Sequence, residues 1–142
     1  METIKIYLAG AMGSLPIEEQ KKWRSKIINA INFEDYEYEK KPVFFDPTRY
    51  YGFKEKNHKT EREVLEFDLN NLRESDLVIV NFNDPTSLGT MSELAIAYEN
   101  KIPVVGINEN GKELHPWQQE FVMRMCENIR QAVDYTVDFF LN

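Results

Sequence analysis

Glu93 stands where two patterns meet. Residues 75–93 read SDLVIVNFNDPTSLGTMSE: a short apolar run from Leu77 to Val80, a turn-rich loop, then Gly89-Thr90-Met91-Ser92-Glu93 opening onto LAIAYEN. That is the pattern of a buried strand delivering the chain to the first turn of a helix, and ligands of open α/β sheets bind at such strand ends. A carboxylate near a positive helix terminus is favoured in its ionised form. Held at a strand end, such a carboxylate can act as a nucleophile. The same residues carry a second reading. Thr90-Met91-Ser92-Glu93 fits a capping box, in which a glutamate at the third helical position reaches back to the cap.

A nucleophile needs partners. Asp68 lies mid-helix in EVLEFDLNNLRESD, beside the stripe of Leu65, Leu69 and Leu72. It reads either as a surface aspartate paired with Arg73 or Lys59, or as an inward general acid whose pKa a second carboxylate would raise. Tyr7, in YLAGAMG at the end of the first apolar run, is either a core residue with a satisfied hydroxyl or a group that holds a catalytic carboxylate in position. The small residues after it, Gly10 among them, let backbone approach a ligand closely. Ser87, Gly89 and Thr90 bring hydroxyls and backbone N–H groups to a helix start, which serves an anion site or plain cap chemistry equally well. Arg24 reads as a solvated helix charge or as a phosphate ligand. His58 and His115 are far apart and Cys126 is the single cysteine. No metal-ligand cluster is apparent, no intrachain disulfide is possible, and Cys126, among Met123, Met125 and Ile129, reads as a small buried hydrophobe.

The elements that must position these groups follow from the hydrophobic pattern. Strand-like runs cover Ile4 to Ala9, Pro42 to Phe45, Leu77 to Asn81 and Pro103 to Ile107, rich in Val, Ile, Tyr and Phe. The first, third and fourth lack clean alternation, as strands covered on both faces do. A helix follows Ser14-Leu15-Pro16, with Ser14 as its expected cap and Trp23, Ile27, Ile28 and Ile31 as its apolar stripe. Further helices are expected over about Lys59 to Glu74, Leu88 to Asn100, Pro116 to Glu127 and Ile129 to Phe140. The order β-α-β-α-β-α-β-α-α implies an α/β fold, a parallel sheet with helices on both faces. The long irregular stretch DPTRYYGFKEKNH, Asp46 to His58, would lie at the same edge as Glu93. Its aromatics Tyr50, Tyr51 and Phe53 could stack on a planar ligand or cover the sheet edge. Trp117 could wall a pocket or anchor a helix. The tail aromatics Tyr135, Phe139 and Phe140 suit the monomer core or a subunit contact.

Composition narrows the functional classes. With 142 residues, 42% hydrophobic and 29% charged, the chain suits one domain with a real core. The net charge of −7 speaks against a nucleic-acid polymer as partner, though not against a small nucleotide. The N-terminal apolar run is too short for a signal peptide or a membrane span, and the expected location is cytoplasmic. A dinucleotide fingerprint is absent, because YLAGAMG is not GxGxxG.

Taken together, KIYLAGAMG, EFDLNNLRESDLVIVN and SLGTMSELAIAYENKIPVV resemble the nucleoside 2-deoxyribosyltransferase superfamily, which includes nucleoside 5′-monophosphate N-glycosidases. The pieces come in the family's order over about residues 4 to 107. The resemblance implies that 1–142 form one domain with a flavodoxin-like open parallel sheet of four or five strands and helices on both faces. It implies Glu93 as the nucleophile at the anomeric carbon, Asp68 as the acid that protonates the leaving base, and Tyr7 as the orienter of the nucleophile. It implies no cofactor and no metal, a nucleoside or nucleotide as the small-molecule substrate, and a homo-oligomer. The reaction would be retaining: a covalent glycosyl-Glu93, then transfer of the sugar to another base or to water in nucleotide salvage.

Many of the transferases carry Asp six residues before the nucleophile, in contact with the base; here Ser87 occupies that position. Ser-Leu-Gly at this point resembles the monophosphate hydrolases, where hydroxyls and backbone amides hold the 5′-phosphate. Gly10, Ser87, Gly89 and Thr90 are therefore the expected substrate-binding residues. Hydrolysis of a nucleoside monophosphate is the alternative reaction. A non-catalytic nucleotide-binding module on the same fold is the alternative of another class.

Overall fold

The computed structural model describes residues 1–33, 37–50 and 58–142; Tyr51 and Phe53 lie outside the described residues. The chain folds as β1 (Thr3–Gly10), α1 (Ile17–Phe33), β2 (Lys41–Phe45), a short 3₁₀ turn (Pro47–Arg49), α2 (Glu61–Arg73), β3 (Leu77–Asn81), α3 (Leu88–Glu99), β4 (Val104–Ile107), α4 (Pro116–Phe121), β5 (Arg124–Cys126), α5 (Ile129–Thr136) and a π-helical turn over Val137–Leu141. The five strands form one sheet in the order β2-β1-β3-β4-β5. All neighbours are parallel, with Ile6 opposite Leu77 and Gly10 opposite Asn81. This is a flavodoxin-like sheet, and its strand order reverses direction between β1 and β3, where such folds open their ligand crevice.

Alternation along β1 divides the core. Ile4, Ile6 and Leu8 join Trp23, Ile27, Ile28 and Ile31 of α1 and Ala132, Val133 and Leu141 of the C-terminal segment on one face. Tyr7 and Ala9 join Leu72 of α2 and Leu94 and Ala97 of α3 on the other. The face on which Tyr7 lies is thus the face that carries α2 and α3. Among the described residues, no helix is long and apolar enough to cross a membrane.

The C-terminal segment differs from the pattern-based expectation. The chain leaves α4 at Phe121, and Arg124-Met125-Cys126 forms a fifth strand beside β4 where a helix to Glu127 was expected. The Met123 N–H donates to the Val104 carbonyl (2.9 Å) and the Asn108 N–H to the Cys126 carbonyl (2.9 Å). Three residues are too few to show a period-2 pattern. Cys126 is a free, buried core residue, and burial pushes its thiol pKa up. Tyr135, Phe139 and Phe140 pack ring to ring, with Phe139 left exposed.

Two local devices close the fold. α3 ends with Lys101 at φ 59°, the Lys101 N–H donating to Tyr98 O (3.0 Å) and the Ile102 N–H to Ala97 O (2.9 Å), the paired bonds of a Schellman stop. The tail docks by burying Leu141, whose carbonyl accepts from the Lys40 N–H at the start of β2 (3.0 Å). Leu141→Ala is expected to destabilise the protein by about 2–5 kcal/mol. Lys101→Gly is expected to stabilise it by about 1 kcal/mol, since only glycine escapes the left-handed penalty. Urea unfolding of the two variants beside wild type checks both signs.

Candidate active site at the strand ends

A cleft of about 740 Å³ opens at the C-terminal edge of the sheet, between the end of β1, α2 and the start of α3. Gly10, Ser87, Gly89, Thr90, Asp68 and Glu93 all line it. Tyr7 lies fully buried beneath, its ring stacked on Phe45 at 5.1 Å. The Tyr7 hydroxyl acts on the Glu93 carboxylate and favours its ionised form. The fold therefore brings Tyr7 from β1, Asp68 from α2 and Glu93 from α3 to one place.

The first turn of α3 corrects the capping-box reading. Ser87 is the N-cap: its hydroxyl oxygen accepts from the Thr90 N–H (3.3 Å) and from the Thr90 hydroxyl (3.0 Å). The helix starts at Leu88, so Glu93 lies in its second turn, too far along to serve the cap. It turns to Tyr7 instead. Ser87 and Thr90 are thus engaged in cap chemistry while lining the cleft. A Cβ added at Gly89 would meet open space. A Cβ added at Gly10 would fall 2.8 Å from Trp23 Cζ2 and 3.4 Å from Arg24 Nη2, so only glycine fits where β1 meets the cleft.

The ionisation of Glu93 corrects a second expectation. Its pKa is raised from 4.5 to about 7, first by burial, with the Tyr7 hydroxyl lowering it, Asp68 raising it and Arg24 lowering it. Desolvation at the cleft floor outweighs the helix terminus that was expected to keep it ionised.

Arg24 is neither a solvated charge nor open to a ligand. It is fully buried beneath the end of β1, donating to Leu8 O (3.2 Å), Gly10 O (3.2 Å) and Gln20 O (2.7 Å). Its Nε lies 3.8 Å from the buried Asp46 carboxylate. Ser14, the expected cap of α1, donates instead to Asp84 across the cleft mouth. Asp84 also accepts from the Thr86 N–H (3.0 Å) and hydroxyl (2.6 Å). The Ser14 and Thr86 hydrogen bonds hold its carboxyl below the usual aspartate range. Both Asp84 and Ser14 line the cleft, and neither was singled out from the sequence as a site residue. The readable signal was Asp-Pro-Thr, an Asx-turn signature at a strand end.

Other expectations resolve simply. Tyr50 packs on Phe45 (5.0 Å) and against Phe67 (5.2 Å), which is the edge-covering role. Trp117 is 66% exposed, set against His115 and Phe121, and is not among the residues that line the cleft. Among the described residues, no group of His, Cys, Asp and Glu could hold a metal ion.

The raised pKa of Glu93 has a cost for stability. Its folded value lies above the unfolded one, so between about pH 4.5 and 7 the folded chain keeps a proton that the unfolded chain has released. Stability therefore falls as pH rises through that window and stays lower above it. The shift corresponds to about 3 kcal/mol. Glu93→Gln is expected to be more stable than wild type by up to that amount at about pH 8, with the gain vanishing near the unfolded carboxylate pKa. Urea titrations across this range check it; a gain that does not vary with pH would contradict the buried-carboxylate account.

Comparison with known proteins gives the family and the fold. The family model for nucleoside 2-deoxyribosyltransferase matches residues 6–140. No curated protein sequence matches significantly. Among solved structures, the chain is similar to a 2-deoxyribosyltransferase from Bacillus psychrosaccharolyticus, with a TM-score of 0.69 and 16% identity over 92% of this chain and 91% of that one. It is also similar to a 2-deoxyribosyltransferase from Leishmania mexicana, with a TM-score of 0.68 and 15% identity over 97% and 99%. A third is the CMP N-glycosidase BcmB of Clostridium botulinum, with a TM-score of 0.60 and 15% identity over 96% and 99%. At these identities the structural likeness speaks for the fold, and the match over residues 6–140 speaks for the family: the chain belongs to the nucleoside 2-deoxyribosyltransferase family.

Proposed function

We propose that this protein cleaves the N-glycosidic bond of (deoxy)nucleosides through a covalent glycosyl-Glu93 intermediate and passes the sugar to another base or to water, as nucleotide salvage requires. The observation that carries this reading is the meeting of two carboxyl groups, Glu93 and Asp68, in one cleft, with the Tyr7 hydroxyl on the former. A Glu93 oxygen attacks the anomeric carbon while the bond to the base breaks. Asp68 gives its proton to the departing base nitrogen. A second base then attacks the same carbon, the bond to Glu93 breaks, and Asp68 takes a proton back. Two inversions give retention, as in retaining glycosidases. The step needs Glu93 ionised and Asp68 protonated, so the pair works while it shares one proton.

The charge of the cleft favours a nucleoside over its monophosphate. Glu61, Asp68, Asp84 and Glu93 all line it. Its one cationic lining residue among those described, Arg62, lies 2.9 Å from Glu66. A phosphate dianion would meet carboxylates on several sides. In favour of the monophosphate stands the start of α3, where Leu88, Gly89 and Thr90 line the cleft, since a helix N-terminus suits an anion.

Chromatography of products decides between them. A deoxynucleoside supplied with a foreign base is expected to give base exchange; release of sugar phosphate from deoxynucleoside monophosphates alone would select the hydrolase instead. Glu93→Ala is expected to lower base release on the order of 10⁴-fold, and Asp68→Asn by about 10²–10⁴-fold. Wild-type turnover by Glu93→Ala would sink the reading. Ligand-induced thermal stabilisation with no base released would favour a binding module.

A further inference from the structure

Arg24 is a full charge in a place where charges are expensive. Nothing of its side chain reaches solvent, and an isolated guanidinium in such a site is strongly disfavoured. Three of its donors go to backbone carbonyls, two of them, Leu8 and Gly10, at the end of the strand that carries Tyr7. Its carboxylate partner is shared: Asp46 also accepts from the Thr48 N–H (2.9 Å) and hydroxyl (2.6 Å), and faces Arg49 at 3.5 Å. Asp46 is therefore shared between two guanidinium groups, Arg24 and Arg49.

Two further carboxyl groups, Glu93 and Asp68, act on Arg24 from the other face of the sheet. We propose that Arg24 is a positioning residue of this site: from beneath the sheet edge it fixes the strand end that bears Tyr7 and supplies the positive field that favours the Glu93 carboxylate as an anion. This rests on the reading of Glu93 as nucleophile. The groups that act on Glu93 come from three elements, Tyr7 on β1, Asp68 on α2 and Arg24 on α1, and Asp46 after β2 acts on Arg24 in turn. Burial and Asp68 push Glu93 towards its neutral form, while Tyr7 and Arg24 push it back. Arg24 touches no reacting atom; it acts through the strand end and through its charge.

The test needs no substrate. With ¹³C-carboxyl-labelled glutamate, and Glu93→Gln to assign the signal, the Glu93 titration midpoint is read by NMR in wild type, Arg24→Met, Arg24→Lys and Asp46→Asn. Arg24→Met is expected to raise the midpoint by about one pH unit or more. Arg24→Lys, which keeps the charge but not the planar fork, is expected to leave it near wild type even as the melting temperature falls. Asp46→Asn removes the counter-charge of Arg24 and is expected to move the midpoint down. Opposite shifts from the two neighbours separate an electrostatic role from a packing role. Unchanged midpoints in folded Arg24→Met and Asp46→Asn overturn the proposal. Should Arg24→Met not fold, the downward shift in Asp46→Asn and the retained midpoint in Arg24→Lys decide the matter. Base release is assayed separately, with the acid limb of kcat/KM expected to follow the midpoint. A protein with the expected midpoints and no glycosidic activity would refute the proposed function and leave the role of Arg24 standing.

Discussion

All five strands of the sheet run the same way, and the rest of the molecule depends on that constraint. A parallel sheet needs a crossover between each pair of successive strands, and those crossovers cover both faces with helices. It also gathers every strand-to-helix junction at one edge. β1, α2 and α3 approach that edge from different parts of the chain, yet Tyr7, Asp68 and Glu93 arrive within reach of one cleft. The register of β1 decides which side they share: Tyr7 and Ala9 face α2 and α3, while Leu8 faces α1. A slip of one residue would turn Tyr7 away from Glu93 and into the packing of α1.

The site stores electrostatic tension that the surrounding fold must hold. Glu93 is pushed towards neutrality by burial and by Asp68, and Arg24 and Asp46 are charges enclosed in the core. A buried pair of this kind contributes little net stability, yet removing one member leaves an uncompensated charge. Ser14, Asp84 and Thr86 knit the mouth of the cleft, while the Gln118 side chain donates to the Pro85 carbonyl from α4 (2.7 Å). The loop between β3 and α3 is thereby braced from two sides. Such tension at a polar site, offset by apolar packing elsewhere, is the common balance between activity and stability.

Much of this was legible in the residues. Buried runs of Val, Ile and Leu announced four strands because a strand covered on both faces needs no polar alternation, and Leu77–Asn81 came out with the bounds the pattern gave. The stripe of Trp23, Ile27, Ile28 and Ile31 is buried as its helical spacing required. Illegible features were those set by distant partners. Ser14 looked like a cap because caps are local, but its hydroxyl is claimed by Asp84, 70 positions away. Thr90 to Glu93 matched a capping box, yet Ser87 took the cap and freed Glu93 for Tyr7. Arg24 resembled any helix charge until β1 closed over it. β5 left no periodic trace at three residues, and β4 specified it through Val105, Gly106 and Ile107.

The strand order also sets how the chain must assemble. β1 lies between β2 and β3, and its Lys5 N–H donates to the Asp76 carboxylate across 71 positions of sequence. β1 thus waits for a segment 71 positions further along before its second neighbour exists. Until then β1 and β2 present an unpaired apolar edge. Folds dominated by such distant pairings close slowly, because loop entropy is lost before contacts repay it, and transiently open edges are where association between chains begins. For this protein the vulnerable moment is therefore kinetic: the interval before Leu77–Asn81 docks.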